Sequence, residues 1–306
     1  MKALLVASSG GHLDQLFELA PRFLPPDAER AWVTPRNAHA ASLLADENTI
    51  HVPPIGARQA VRAIRALPAA SRLVREQAPD VVISTGAALA VPYLIAARTQ
   101  GVRIHYIDSA TRRRGPSLTG KIARRLPATE LNYQSAGWPR PWTAIPSVFE
   151  GFSLSDPVDR PVRSVVVTLG TERFPFTRAV EAIAAGLPSD IDVTWQLGHT
   201  PAPDGLVGET HDFMPYTDLV GRIAAADAVI THAGVGSILA CLRVGHRPVV
   251  FAREPDRDEH VDDHQLQLTA ELQASGVVIS SDEGPLPQLL AEAASRRVVR
   301  APGAGR

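Results

Sequence analysis

The 306 residues include a single cysteine, Cys241, which excludes an intrachain disulfide and makes a reducing compartment the expectation. Aromatic residues amount to 5% and the formal net charge is −1. A surface so short of stacking side chains and so balanced in charge argues against a nucleic-acid binder, and no nucleic acid is expected as a partner. The longest apolar run, Ala87–Ala97, falls well short of the ~20 residues needed to cross a bilayer as a helix. The strand-like start Ala3–Ala7 runs straight into glycines, so a signal peptide is not expected. Two nucleotide signatures are missing as well. No Gly-Lys-Ser/Thr closes a P-loop, and no glycine corner has the G-x-G-x-x-G spacing with an acid ~20 residues further on.

What is present is an alternation. Strand candidates at Ala3–Ala7, Ala31–Thr34, Thr49–Val52, Val81–Ser84, Val102–Ile107 and Glu130–Tyr133 are separated by helix candidates at His12–Phe23, Ala38–Leu44, Arg58–Glu76, Ala88–Ala97 and Leu118–Leu126. The rhythm breaks from Trp138 to Pro161, a stretch with five prolines counting Pro161 itself and no long periodic element. It then restarts with strands at Ser164–Leu169, Val193–Leu197, Ala228–Thr231, Pro248–Ala252 and Val277–Ser280. Strand–helix alternation means parallel sheet with right-handed crossovers. The expectation is α/β, with two doubly wound parallel-sheet domains facing across a cleft: residues 1–147, a linker at 148–162, and residues 163–306. Charge divides the same way, with +7 on residues 1–150 and −8 on residues 151–306. Either the halves meet different partners or they attract each other.

Ligands of such sheets bind beyond the carboxyl ends of the strands, where glycines let the backbone turn and a helix N-terminus presents amides. Ser8-Ser9-Gly10-Gly11-His12 is one such corner, and Ser84-Thr85-Gly86 is a second. In the second half Leu169-Gly170-Thr171 and Thr231-His232-Ala233-Gly234-Val235-Gly236-Ser237 repeat the pattern. Each of these is also readable as a tight turn without a ligand. Further on, Glu259-His260-Val261-Asp262-Asp263-His264-Gln265 admits three readings: a metal site, helix capping, or recognition of sugar hydroxyls by Asp263, His264 and Gln265.

Taken together these segments resemble the family 28 glycosyltransferases. The second half is similar to their sugar-nucleotide-binding domain through Val165–Thr171, His232–Ser237 and Glu259–Gln265. The first half is similar to their acceptor-binding partner through Ser9–His12, Ser84–Gly86 and Pro116–Lys121. The whole resembles a fused form of the two-subunit exopolysaccharide glucuronosyl- or glucosyltransferases. It is also similar to the dolichol-diphosphate N-acetylglucosaminyltransferase and, more distantly, to the peptidoglycan enzyme that makes lipid II.

The resemblance implies the GT-B fold of two Rossmann-like domains, and an inverting, metal-independent transfer from a UDP-sugar carrying GlcA, Glc or GlcNAc. It implies no cofactor: the nucleotide sugar is the substrate. Gly170 and Thr171 are then expected near the diphosphate or the acceptor side, and Phe213 and Met214 beside the uracil. His232, Gly234, Gly236 and Ser237 would hold the diphosphate, and Gln265 with His264 the sugar. Gly10, Gly11 and His12, with Ser84, Thr85 and Gly86, would shape the acceptor side. Where the family usually has a ribose-binding glutamate on the helix after the glycine turn, this chain has Ala240; either another acid takes over, with Glu254 and Asp256 as candidates, or donor recognition differs.

The chemistry needs a base beside the acceptor hydroxyl and positive potential at the leaving diphosphate. His12 is the first candidate base and Asp108 the second; both could instead be structural, Asp108 by capping a turn. No Asp-x-Asp metal triplet is expected in the cleft; His232, Arg253 and the helix start at Gly236 are expected to take that charge. Arg112, Arg113, Arg114, Lys121, Arg124 and Arg125, interleaved with Leu118 and Ile122, read as a patch for anionic lipid or as a solvated face. The expected partners are therefore a nucleotide-sugar donor, a polyprenyl-diphosphate-linked glycan acceptor and a membrane surface. The expected place is cytoplasmic, peripheral on the inner face of the plasma membrane, in exopolysaccharide or cell-envelope glycan synthesis. The alternatives are a UDP-sugar 2-epimerase of the same architecture and a non-catalytic nucleotide-sugar-binding subunit.

Overall fold

The computed structural model describes residues 1–56, 59–113, 115–135, 137–171, 173–260 and 263–300. The chain divides into two units, Met1–Val148 and a second that begins at Phe149. In the first unit seven strands, β1 (Lys2–Val6), β2 (Glu29–Thr34), β3 (Asn48–His51), β4 (Val81–Ser84), β5 (Arg103–Ile107), β6 (Thr129–Tyr133) and β7 (Thr143–Ala144), form one sheet ordered β3-β2-β1-β4-β5-β6-β7. All its pairings are parallel. Helices α1 (Gly11–Leu19), α2 (Ala38–Leu43), α3 (Ala60–Gln77), α4 (Ala90–Thr99) and α5 (Leu118–Ala123) make the crossovers. A parallel sheet is covered on both faces, so its central strands read as unbroken apolar runs. Leu4, Val6, Val33 and Val82 of the sheet share one buried cluster with Ala70 and Val74 of α3 and Leu94 and Ala97 of α4.

The second unit repeats the plan. Strands β9 (Ser164–Thr168), β10 (Asp192–Gln196), β11 (Glu209–His211), β12 (Ala228–His232), β13 (Val249–Phe251) and β14 (Ile279–Ser280) form a parallel sheet ordered β11-β10-β9-β12-β13-β14. Its helices are α6 (Thr177–Gly186), α7 (Tyr216–Ala225), α8 (Val235–Arg243), α9 (His264–Ala274) and α10 (Leu286–Ser295). Val165, Val167, Ile230 and Trp195 bury one face against α6 and α10, while Val166 and Val229 bury the other with Ile223 and Cys241. The proline-rich stretch expected as a linker, 148–162, is in part structural. Its β8 (Phe152–Leu154) pairs antiparallel with β15 (Val298–Arg300), and the unit boundary falls ahead of it, between Val148 and Phe149. Strands β7, β8, β11 and β15, two or three residues each, are the ones the periodicity does not announce, since a run that short has no period to read.

In both sheets the strand order reverses between the first strand and the fourth in sequence: β1 beside β4, β9 beside β12. That reversal is where successive crossovers diverge and leave the strand ends open for a ligand. One carboxylate ties the opposite ends of β9 and β12 together. Asp227 Oδ2 accepts the amides of Arg163 and Ser164, both at 2.9 Å, and the Ser164 hydroxyl at 3.0 Å. Burial pushes the Asp227 carboxyl up, but the hydrogen bonds from Arg163 and Ser164 outweigh it and leave the group below its ordinary range. Asp227→Ala is expected to cost about 1–3 kcal/mol in a urea titration, because it strands two amide donors. The contribution is full above the ordinary carboxylate range and is lost as the pH falls through the depressed value.

Candidate functional site

The corner after β1 is held by polar side chains that the sequence pattern hides. Gly10 takes φ +84 and starts α1 with no side-chain cap; its amide donates to His39 Nδ1 (3.2 Å), and His39 Nε2 faces the buried Asp14 (3.2 Å). A Cβ on Gly10 would meet nothing within 4 Å, so the space above the turn is open. His12, two residues on, reaches across the strand-order reversal. Its Nδ1 lies 2.9 Å from the Thr85 carbonyl, and Thr85 Oγ1 donates back to the His12 carbonyl at 2.7 Å. A carbonyl can only accept, so Nδ1 carries the proton and Nε2 keeps its lone pair. Burial, with the charge of Arg112 acting the same way, lowers the His12 pKa against the opposing Thr85 hydrogen bond, so the ring is neutral at pH 7.

Ser84 and Thr85, expected to touch the acceptor, have a different place. Both are fully buried; Ser84 Oγ donates to Val6 O (2.7 Å) and accepts the Gly86 amide, while Thr85 holds His12. They shape the corner without facing a ligand. Gly86 (φ +110) is required there, because its φ is left-handed and a Cβ would press on the Tyr106 hydroxyl at 2.9 Å. Asp108 is likewise committed to structure. It is 1% exposed, and its two oxygens accept the amides of Ser109 (3.0 Å) and Ser117 (2.9 Å), fastening the loop after β5 to the start of α5. Burial raises its pKa against those hydrogen bonds. This is the turn-capping reading of Asp108, and it leaves His12 as the candidate base. The residue that organises this region, Gln15, was not singled out by the sequence. Buried on α1, it donates to Gly11 O and Ser109 Oγ and accepts from Ala110 N and Gln134. Its signal was a polar pair, Asp14-Gln15, inside an apolar helix stripe.

The basic run also separates. Lys121, Arg124 and Arg125 are exposed beside Leu118, which is 72% exposed. Arg112 and Arg113 are half-buried, and burial lowers the Arg113 pKa. Arg114 lies outside the described residues.

In the second unit the corners after β9 and β12 close on one imidazole. His232, at the end of β12, is 6% exposed, and its ring sits between Gly170 and Gly234: a Cβ on either glycine would overlap it. Gly170 takes φ +74, and its carbonyl in turn excludes a side chain at Gly198. Burial, then the charge of Arg253, pushes the His232 pKa down to about 3, and Nδ1 has no hydrogen-bond partner among the described residues. Helix α8 follows directly. It has Gly234 as its N-cap, no side-chain cap, and the half-buried Gly236 and Ser237 in its first turn. Ala240 is buried, so its place on α8 faces the core.

Arg253 is fully buried and works as a clamp. It donates to the carbonyls of Phe174 (2.6 Å) and Leu169 (3.1 Å) and lies 4.5 Å over the Phe176 ring, so its charge fixes the Gly170–Thr171 turn from below. Gln265, expected on the sugar, is buried, and its Oε1 accepts the Arg253 amide (3.1 Å). His264 opens α9 with Asp263 as its N-cap, half-buried; Val261 and Asp262 lie outside the described residues. Phe213, 50% exposed, meets His199 edge-to-face at 5.1 Å just past the end of β11, with the half-buried Met214 beside it. Thr171 is exposed at the rim of its turn.

Two further groups escaped the sequence reading. Arg178 forms a two-pronged pair with the buried Glu259 (3.1 and 2.8 Å) and a third contact with Glu254 (3.1 Å). Thr168 and Gln196 bond each other (2.7 Å), and Gln196 holds the Gly170 carbonyl (3.2 Å). Asp256 and Asp258, which form an Asp-x-Asp triplet with Arg257, stand exposed around a short 3-10 turn. Among the described residues no group of three His, Cys, Asp or Glu side chains is placed to hold a metal ion.

Two parallel-sheet units, each reversed at a glycine corner, define a two-domain α/β protein of the GT-B fold. The crystal structure of MurG from Acinetobacter baumannii is similar to it with a TM-score of 0.54 at 17% identity, covering 95% of this chain and 88% of that one. Residues 164–296 match the glycosyltransferase family 28 C-terminal domain. The match lies within the second unit, and the likeness to family 28 is a likeness of that unit. A relative from Chlorobaculum tepidum, a UDP-N-acetylglucosamine–N-acetylmuramyl-(pentapeptide) pyrophosphoryl-undecaprenol N-acetylglucosamine transferase, is 26% identical over 247 residues, 72% of this chain and 64% of its own length. The UDP-N-acetylglucosamine transferase subunit ALG13 of Yarrowia lipolytica is 43% identical over 58 residues, 19% of this chain and 28% of that protein. The chain thus spans less than two thirds of either relative's length.

Two outcomes follow from this geometry. Gly170→Ala is expected to lower the melting temperature and to perturb the His232 ring resonances, because the new Cβ overlaps that ring at a left-handed φ. The buried His232 and His246, with pKa values pushed down to about 3 and about 4, are neutral when folded but titrate near 6.5 when unfolded. The unfolded chain therefore binds more protons below that value, and stability should fall as the pH drops from about 6.5 to 5. His246→Gln should flatten that slope in calorimetry.

Proposed function

We propose that this protein is an inverting, metal-independent glycosyltransferase that moves a sugar (GlcA, Glc or GlcNAc) from a UDP-sugar to a lipid-linked acceptor. On this reading the acceptor is a glycan or precursor on polyprenyl diphosphate, and the product enters exopolysaccharide or another cell-envelope glycan. The observation that carries the proposal is the family 28 match over residues 164–296, which falls on the unit whose strand-order reversal packs His232 between Gly170 and Gly234 ahead of the uncapped start of α8. Glycines there admit a diphosphate to backbone amides, and the helix dipole and the buried Arg253 supply positive potential. The activities named for both relatives support UDP-N-acetylglucosamine as a donor and, for the bacterial one, a diphosphate-linked polyprenol as the acceptor carrier.

In the proposed step the acceptor hydroxyl oxygen attacks the anomeric carbon from the face opposite the nucleotide. The bond from that carbon to the β-phosphate oxygen breaks, its electron pair leaves with UDP, and configuration inverts. The acceptor proton passes to His12 Nε2, which is available because Nδ1–H is held by Thr85. The charge building on the diphosphate is met at α8 without a metal. The enzyme works as a peripheral protein on the cytoplasmic face of the plasma membrane, with exposed Leu118, Lys121, Arg124 and Arg125 as its lipid-facing surface. No helix among the described residues is long and apolar enough to cross a membrane.

Incubation with labelled UDP-GlcNAc, UDP-Glc and UDP-GlcA, with and without bacterial lipid extract, tests the proposal. Label should move to the organic phase from one donor only when lipid is present; recovery of unchanged or isomerised donor under every condition would sink it. His12→Ala should reduce kcat about 10²- to 10⁴-fold while donor binding, read by thermal shift with UDP, stays unchanged. The acidic limb of the wild-type rate should lie below pH 6.5, because the rate needs the neutral ring and burial lowers its pKa.

A further inference from the structure

We infer that His39 is a positioning residue for the His12 corner: held by Asp14 as the Nε2–H tautomer, it grips the Gly10 amide and so fixes the glycine turn from which α1 presents His12. This rests on the part given to His12 in the reaction above. The turn cannot fix itself. Gly10 takes φ +84 and ψ −150, a region that only glycine enters without strain, and it opens α1 with no side-chain cap. Two adjacent glycines leave the peptide ahead of His12 free to swing unless another element holds it. On its far side His12 is tied to Thr85; on its near side the tie comes from α2.

The sheet brings α2 there. β2 pairs in parallel with β1, and the ladder runs one residue past β1, from the Ala7 amide to the Val33 carbonyl (3.1 Å), so the chain leaves β2 beside the glycine turn. Asn37 caps α2, its Oδ1 accepting the Ala40 amide at 2.8 Å, and this sets the register that places His39. Three residues then close a ring. The Gly10 amide donates to His39 Nδ1 (3.2 Å), His39 Nε2 lies 3.2 Å from Asp14 Oδ2, and the Asp14 amide donates to the Gly10 carbonyl (3.1 Å). An amide N–H can only donate, so His39 Nδ1 holds a lone pair and the ring proton sits on Nε2, facing the carboxylate. Asp14 is 1% exposed, and a carboxylate so deep needs donors, so it selects this tautomer. His12 is the mirror case, with its proton on Nδ1 toward Thr85 and its lone pair kept at Nε2. One corner thus holds two histidines in opposite tautomers, each set by its partner. If the turn swings, His12 Nε2 leaves the acceptor hydroxyl, and a displacement of about 1 Å costs a rate on the order of a hundredfold.

Long-range nitrogen–proton correlation of the ring nitrogens in the full-length protein reads both tautomers directly. Wild type should show the protonated nitrogen at Nε2 of His39 and at Nδ1 of His12, with slow exchange of the Gly10 amide. Variants then separate positioning from packing. An asparagine amide overlays Nδ1 of an imidazole and a glutamine amide overlays Nε2, so His39→Asn keeps an acceptor for Gly10 and His39→Gln does not. His39→Gln should speed Gly10 amide exchange, shift the His12 ring resonances and lower kcat about tenfold to a hundredfold with the donor KM unchanged. His39→Asn should restore most of all three. Asp14→Asn, which can turn an N–H toward Nε2, should move part of the His39 ring to the Nδ1–H form. A wild-type His39 ring protonated at Nδ1, a Gly10 amide that exchanges equally fast in wild type and His39→Gln, or equal kcat in the Asn and Gln variants would each overturn the inference. If sugar reaches lipid and needs His12, yet His39→Gln turns over like wild type, His39 loses its part and the transferase reading stands. If no donor yields product but His39→Gln still frees the Gly10 amide and shifts the His12 ring, the transferase reading falls and the tie at the corner stands.

Discussion

A parallel sheet that reverses its strand order leaves two strand ends diverging, and in both units a histidine from one end is packed against a glycine from the other. His12 reaches from the β1 corner to Thr85 and Gly86 beyond β4; His232 stands at the end of β12 against Gly170 beyond β9. The contact is steric before it is chemical. No side chain other than hydrogen fits at Gly170 or Gly234 while the ring is in place, so the corner's backbone is exposed and its shape is set. The dehydrated setting also keeps both rings neutral, so each is available as a lone pair or a donor and carries no fixed charge.

Positive charge reaches the two corners differently. In the second unit Arg253 lies under the turn, its terminal nitrogens donating to the Phe174 and Leu169 carbonyls and its plane over the Phe176 face, so its charge reaches the corner through its field. In the first unit the His12 pKa is lowered by burial first and by the charge of Arg112, on the loop after β5, only in part. The family 28 match falls within the second unit.

Buried polar side chains give both corners their rigidity. Gln15 joins α1, the loop after β5 and Gln134; Gln196 joins Thr168 to the Gly170 carbonyl; Gln265 holds the amide of Arg253. An amide group can donate and accept at once, so one glutamine can satisfy groups on separate elements and hold them in register. Three glutamines thus carry the positioning of turns whose own residues are too small to hold themselves.

The sequence by itself determined the alternation of strands and helices, the two-unit plan and the glycine corners, because apolar period and glycine placement are local properties of the chain. It also marked His12, Gly170, His232 and Gly234 as corner residues, through their place directly after strands. Local pattern could not say which polar side chains turn inward. Asp108 and Gln265 look like ligand-facing groups in the sequence yet are consumed by amides, and Ser84 and Thr85 are buried. Only the tertiary structure decided those roles. A hydrogen-bond partner 73 or 94 residues away, as for His12 and Gln15, exists only once the strands are assembled, and it is the assembled partner that determines whether a polar group is spent or available.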